Sequence, residues 1–227
     1  MTDESASIAR GPGRRQGGNP LLQTDVGLFF CESIRAFPVT ASLFPSSRKL
    51  AEALLRSIDF RKAAAIVELG VGTGVVTCEI LRRMRPDAKL YAIDINPAFI
   101  RHIRAKIDDP RLVAISGSAE EMGCMVRAHG LERVDAIVSS LGLSNMNEPQ
   151  RRAIIGQAAE CLCPRGVLSQ FQYLLTSGEP NWMCRVGVAR FPGDRFLQRY
   201  FGEVRTETVM LNLPPARVFT CRQAIHT

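Results

Sequence analysis

Short apolar runs alternate with longer amphipathic stretches through the middle of this chain. The runs predict strands at 64–68, 89–93, 112–116, 135–140 and 166–172. Helical spacing between them predicts helices at 75–85, 97–107, 119–129 and 148–162, with Pro149 suited to a first helical turn. Strictly alternating strands and helices imply an α/β domain. The alternation stops after Tyr173. A loop around 177–182, a short helical segment at Asp194–Phe201 and two extended runs follow. Those runs, Glu203–Leu213 and Arg217–Arg222, flank Pro214-Pro215 and read as an antiparallel end to a seven-stranded, mostly parallel sheet.

Upstream of the alternation the pattern changes. Residues 1–22 are polar, basic and rich in glycine, which predicts a disordered tail. From Asp25, Val26, Phe30, Ile34 and Phe37 recur at helical spacing until Pro38. Such a phenylalanine-rich face has two readings: a lid over a cleft, or a contact dipping into a membrane interface through Phe30 and Ile34. Ser46 and Ser47 precede Leu50, Leu54, Leu55 and Ile58 and read as a helix N-cap, whose free N–H groups suit a carboxylate. The expected organisation is a tail at 1–22, N-terminal helices at 23–60 and a catalytic domain at 61–227.

The chemistry concentrates between the first two strands. Glu68-Leu69-Gly70-Val71-Gly72-Thr73-Gly74 links the first strand to a helix, and Asp94 ends the second strand. This is the nucleotide-binding half of a doubly wound, Rossmann-like sheet. Glycines admit close approach of a ligand, and Asp94, followed by Ile95, suits a ribose diol. Three details favour S-adenosyl-L-methionine (SAM) over a dinucleotide. Glu68 would repel a pyrophosphate but suits the cationic amino group and sulfonium of SAM. The spacing is Gly-x-Gly-x-Gly rather than Gly-x-Gly-x-x-Gly. Ser118, Ala119 and Glu120 form a polar turn after the third strand, in reach of an adenine edge.

Composition narrows the partners. The net charge is +7 with a pI of about 9.3, and the excess is mainly arginine, which favours an anionic partner such as nucleic acid or a membrane surface. The seven cysteines are scattered, without a Cys-x-x-Cys pair or a histidine cluster, so no metal is expected. No apolar run reaches membrane-spanning length and no signal peptide is visible, so a cytoplasmic location is expected.

The segment after the fourth strand bears on substrate. It reads Val138-Ser139-Ser140-Leu141-Gly142-Leu143-Ser144-Asn145-Met146. It lacks the Pro-Pro-aromatic turn that base-methylating enzymes use to hold an exocyclic amine, which argues against nucleic acid. With Phe44-Pro45-Ser46-Ser47-Arg48, Gln170-Phe171-Gln172-Tyr173 and Asn212-Leu213-Pro214-Pro215-Ala216-Arg217-Val218, this segment and the glycine motif resemble the bacterial phospholipid N-methyltransferases. The resemblance implies a class I, SAM-dependent fold, a peripheral position on the inner membrane face and methylation of phosphatidylethanolamine towards phosphatidylcholine. Ornithine lipids are a related substrate, and an rRNA adenine N6-dimethyltransferase is the alternative. Gly142 stands where the family pattern has proline, which would loosen the turn.

Within this reading, Ser139 belongs with the cofactor residues. Ser140 and Asn145 orient the amine, and Tyr173 offers a phenol or a π face at a strand end. Arg217 matches a lipid phosphate with two hydrogen bonds.

Overall fold

The computed structural model describes residues 45–173, 191–210 and 216–225. The tail, the helix carrying Phe30 and Ile34, the loop at 177–182 and the Asn212–Pro215 run lie outside the described residues.

Five parallel strands form the centre: β1 (Ala65–Leu69), β2 (Lys89–Asp94), β3 (Leu112–Ser116), β4 (Val134–Ser139) and β5 (Leu162–Tyr173). Antiparallel β6 (Phe201–Val209) and β7 (Ala216–Ala224) complete a seven-stranded sheet of order β3-β2-β1-β4-β5-β7-β6. This is the predicted fold, with the reversal of strand order at β1 and β4 that opens a ligand crevice at the carboxyl ends of the strands.

Helices cover both faces. On one lie α1 (Pro45–Leu55), α2 (Val75–Arg83) and α3 (Pro97–Lys106); on the other, α4 (Met122–Ala128), α5 (Glu148–Cys161) and α6 (Gly193–Leu197). Leu54, Leu55 and Ile58 pack with Ile80 and Leu81 of α2 and Val218 of β7, so α1 is part of the core. Burying such apolar side chains supplies about 1.5–3 kcal/mol each.

Two local expectations are corrected. Pro45 occupies the first position of α1, where its fixed φ costs nothing, so Ser46 and Ser47 fall within the first turn and are not its N-cap. Strand β5 starts at Leu162, four residues before the predicted 166, because its first residue pairs with Val134, with extra residues of β5 bulging before the regular register resumes at Ala136 and Val167. Helix α5 therefore ends at Cys161.

Candidate active site

Hydrogen bonds beyond the strand ends draw three turns to one rim of the sheet. Gly70 N–H donates to Ile93 O (2.9 Å), Ser140 N–H to Leu69 O (2.8 Å) and Gly117 N–H to Asp94 O (3.0 Å). The glycine turn, Asp94, the Gly117–Glu120 turn and the Ser140–Asn145 turn thus share the carboxyl edge.

Gly70, Gly72 and Gly74 all have positive φ (80°, 54° and 82°), where a Cβ is strained. Their surroundings differ. A Cβ on Gly70 would meet Leu141 Cδ2 at 3.0 Å and one on Gly74 would meet Ile103 Cγ2 at 3.1 Å, whereas one on Gly72 has nothing within 4 Å. Gly70 and Gly74 therefore serve chain packing, and Gly72 faces space that a ligand can take. Gly74 precedes α2 without a side-chain cap, leaving its first N–H groups available.

The two acids differ in setting. Asp94 accepts from Gly72 N–H (3.1 Å) and Asn96 N–H (2.8 Å), bracing the turn. Glu68 is fully buried under α2, and its Oε2 accepts from Thr77 Oγ1 at 2.7 Å. Its Oε1 is buried with no partner among the described residues. Burial pushes the carboxyl up to about 8, against the Thr77 bond, which pulls it down; Asp94 adds a further upward push. Thr77 carries no weight in the sequence reading, although a polar residue two positions into an apolar helical stripe is a readable signal.

Several other expected residues are engaged locally. Ser118 Oγ accepts from Glu120 N–H (3.3 Å), Glu120 is exposed, and Ala119 packs against the core. Ser139 is buried, and its hydroxyl accepts from Leu141 N–H at 3.4 Å. Ile95 is 71% exposed, an apolar side chain standing beside Asp94 at the rim.

On the substrate side, Ser140 is half-buried and Asn145 exposed, on either side of the start of a 3-10 turn at Leu143–Asn145. Gly142 has φ −77°, a value proline also adopts, so its backbone requires no glycine. Tyr173 packs edge-on against Phe171, centroids 5.0 Å apart, and burial raises its phenol. The Arg217 side chain has no hydrogen bond or ion pair with the described residues. Because Tyr173 pairs with Ala216, Arg217 lies across from Gln172, and the two candidates sit on opposite faces of the sheet. The sequence reading gives no role to Gln170, which is buried and donates from Nε2 to Leu141 O at 2.8 Å, fixing the substrate-side turn. A glutamine inside an apolar strand is the available signal.

An open groove of about 660 Å³ lies elsewhere, at the amino ends of β1, β4 and β5, lined by Asp59, Lys62, Asp135 and Arg165 among others. It is remote from the glycines and is the wrong end of an α/β sheet for the crevice. Among the described residues no group of three or more His, Cys, Asp and Glu side chains is placed to hold a metal ion.

Residues 66–166 match the family model described as a methyltransferase domain. The fold is the Rossmann-like one of SAM-dependent methyltransferases. The enzyme is 28% identical over 199 residues to the ornithine lipid N-methyltransferase of Singulisphaera acidiphila, covering 87% of this chain and 96% of that one. It is 30% identical over 96 residues to the ribosomal RNA small subunit methyltransferase H of Christiangramia forsetii, but spans only 31% of that protein. Among solved structures, the N-methyltransferase NodS from Bradyrhizobium japonicum, in complex with S-adenosyl-L-homocysteine, superposes with a TM-score of 0.64 at 17% identity. That likeness covers 85% of this chain and 97% of NodS and concerns the fold.

The residues at the rim fit the cofactor. The unpartnered Glu68 Oε1 would accept from the ammonium of SAM. The open space at Gly72 would admit the ligand against the backbone. Asp94 would exchange its backbone donors for ribose hydroxyls, and exposed Ile95 would pack on the adenine.

Proposed function

We propose that the enzyme transfers methyl groups from SAM to the amine head group of a membrane lipid at the cytoplasmic membrane surface. Phosphatidylethanolamine, converted towards phosphatidylcholine, is the substrate implied by the sequence resemblance, and an ornithine lipid is the alternative. The observation that carries this reading is the nearly end-to-end match to a lipid N-methyltransferase, which includes the substrate-side turns as well as the cofactor half.

SAM supplies an electrophilic methyl. The remaining work falls to the chain. A lipid amine resembles lysine, with an ordinary pKa of about 10.4, and must lose a proton before it attacks. Leaving water for the half-buried turn at Ser140 favours the neutral amine. Ser140 and Asn145 orient it by hydrogen bonds, Tyr173 bounds the strand end, and Arg217 receives the anion of the head group. Among the described residues, no helix is long and apolar enough to cross a membrane.

RNA is the second reading, supported by the partial match to an rRNA methyltransferase and by the +7 charge. The missing Pro-Pro-aromatic turn weighs against it. Incubation with labelled SAM and either lipid vesicles or ribosomal RNA separates the two. Label is expected in lipid; label in RNA with none in lipid would sink the proposal.

A further inference from the structure

Arg151 is the fourth residue of α5, and its guanidinium turns towards the substrate side. Nη1 donates to Leu143 O at 3.3 Å, within the 3-10 turn that ends at Asn145. The guanidinium carbon stands 4.5 Å from the Phe191 ring centroid. Nε is buried and has no acceptor among the described residues. No carboxylate forms a close ion pair with this arginine among those residues, although its charge is felt at Glu148. The neighbouring acid on the same helix, Glu148, is held by Arg152 at 2.6 Å and lies 3.8 Å from Arg199.

A cation fixed against an aromatic face, with an unmet N–H group and its nearest acid already held by two other arginines, is a poor structural element. Each buried donor left without an acceptor carries a desolvation cost that a local carboxylate would remove. An anion arriving from outside removes it equally well, and a guanidinium matches phosphate or carboxylate with paired donors. The location suits that arrival. Leu143 sits two residues from Asn145, and Phe191 O accepts from Gln172 Nε2 at 3.0 Å. Gln172 in turn is the register partner of Arg217, another arginine without an ion pair among the described residues. Arg217 therefore shares a sheet face with Gln172, whose side chain reaches Phe191, while Arg151 stands over the Phe191 ring near the turn where an amine would be presented.

We propose that Arg151 binds the anionic group of the amine substrate and so selects head groups in which an amine stands close to a phosphodiester or carboxylate. This rests on the lipid N-methylation reading and gives it a specificity determinant. Phosphatidylethanolamine carries a phosphodiester and an ornithine lipid carries a carboxylate; the shared chemistry is a head group bearing both charges.

The test uses the full chain, labelled SAM and three amphiphiles in mixed micelles: phosphatidylethanolamine, an amino-acid lipid with a free carboxylate, and a long-chain alkylamine with no anion. The measured quantity is the ratio of kcat/KM on each anionic amine to that on the alkylamine. In Arg151→Gln this ratio is expected to fall about 10- to 100-fold, mainly through KM, as for loss of a charged hydrogen-bonded contact. Arg151→Lys keeps the charge and should fall less. The amphiphile with the larger loss identifies the anion. A ratio unchanged in Arg151→Gln, with all three activities reduced together, would assign Arg151 a purely structural role and overturn the inference alone. Wild-type enzyme that methylates none of the three overturns the inference together with the functional reading beneath it.

Discussion

Under the cofactor reading, Glu68 would serve two states of the enzyme with one side chain. Without cofactor it is a buried acid with one oxygen on Thr77 and the other unmet. Its folded-state pKa, pushed up to about 8, lies above the unfolded value near 4.5, so the fold favours the protonated form. The sign follows directly. Its contribution to stability is complete below pH 4.5 and is lost as pH rises through about 8. Glu68→Gln keeps an acceptor for Thr77 and cannot ionise. The cofactor-free variant is therefore expected to melt above the wild type at pH 8.5, with the gap closing by pH 5, in thermal unfolding scans. The same substitution removes a charged partner of the SAM ammonium, and calorimetry should find SAM binding weaker by about 10- to 100-fold. A variant that binds SAM as the wild type does would remove Glu68 from the cofactor site.

At the scale of elements, α5 supports the substrate side through its start. Asn147 caps the helix by accepting from Gln150 N–H at 2.9 Å, and the Gln150 side chain accepts from Asn147 N–H at 3.3 Å. Such a box lets the helix begin immediately after the Leu143–Asn145 turn and places Arg151 one turn in. Asn147→Ala should cost about 1 kcal/mol. For a domain of this size that lowers Tm by roughly 2–4 °C. Because the cap sits beside Asn145, lipid methylation should fall more than SAM binding does, which paired activity and calorimetry measurements will resolve. Element boundaries were readable where chemistry marks them. Pro149 near the start of α5 and Gly74 before α2 are examples. They were misread where tertiary pairing decides, as at Leu162, whose strand conformation comes from Val134 across the sheet rather than from its own neighbours. The serines at 46 and 47 misled because a proline beside a potential cap can itself take the first helical position.

For the whole molecule, the functional proposal requires attachment to a bilayer by a chain of net charge +7. Co-sedimentation with vesicles containing anionic lipid should weaken between low salt and about 0.5 M salt, since screening lengths shrink below roughly 10 Å beyond 0.1 M. The remaining, salt-resistant part is expected to depend on the phenylalanine-rich segment. Replacing Phe30 and Ile34 with Asp should abolish it, and binding that survives in this variant would confine the segment to a lid role.

The sequence by itself determined the fold class and the identity of the cofactor. Apolar runs at strand spacing, glycines at positive φ and acids at strand tips are local constraints, each legible within a few residues. Tertiary structure alone decided which way the long-range partners face. Pairing of Tyr173 with Ala216 places Arg217 on the other face from Tyr173, since successive residues of a strand point to opposite sides. Folding of α5 against Phe191 likewise set Arg151 beside the Leu143–Asn145 turn with its Nε unmet among the described residues. Neither relation is written in spacing along the chain, because both depend on register between segments that only the packed sheet and its helices bring together.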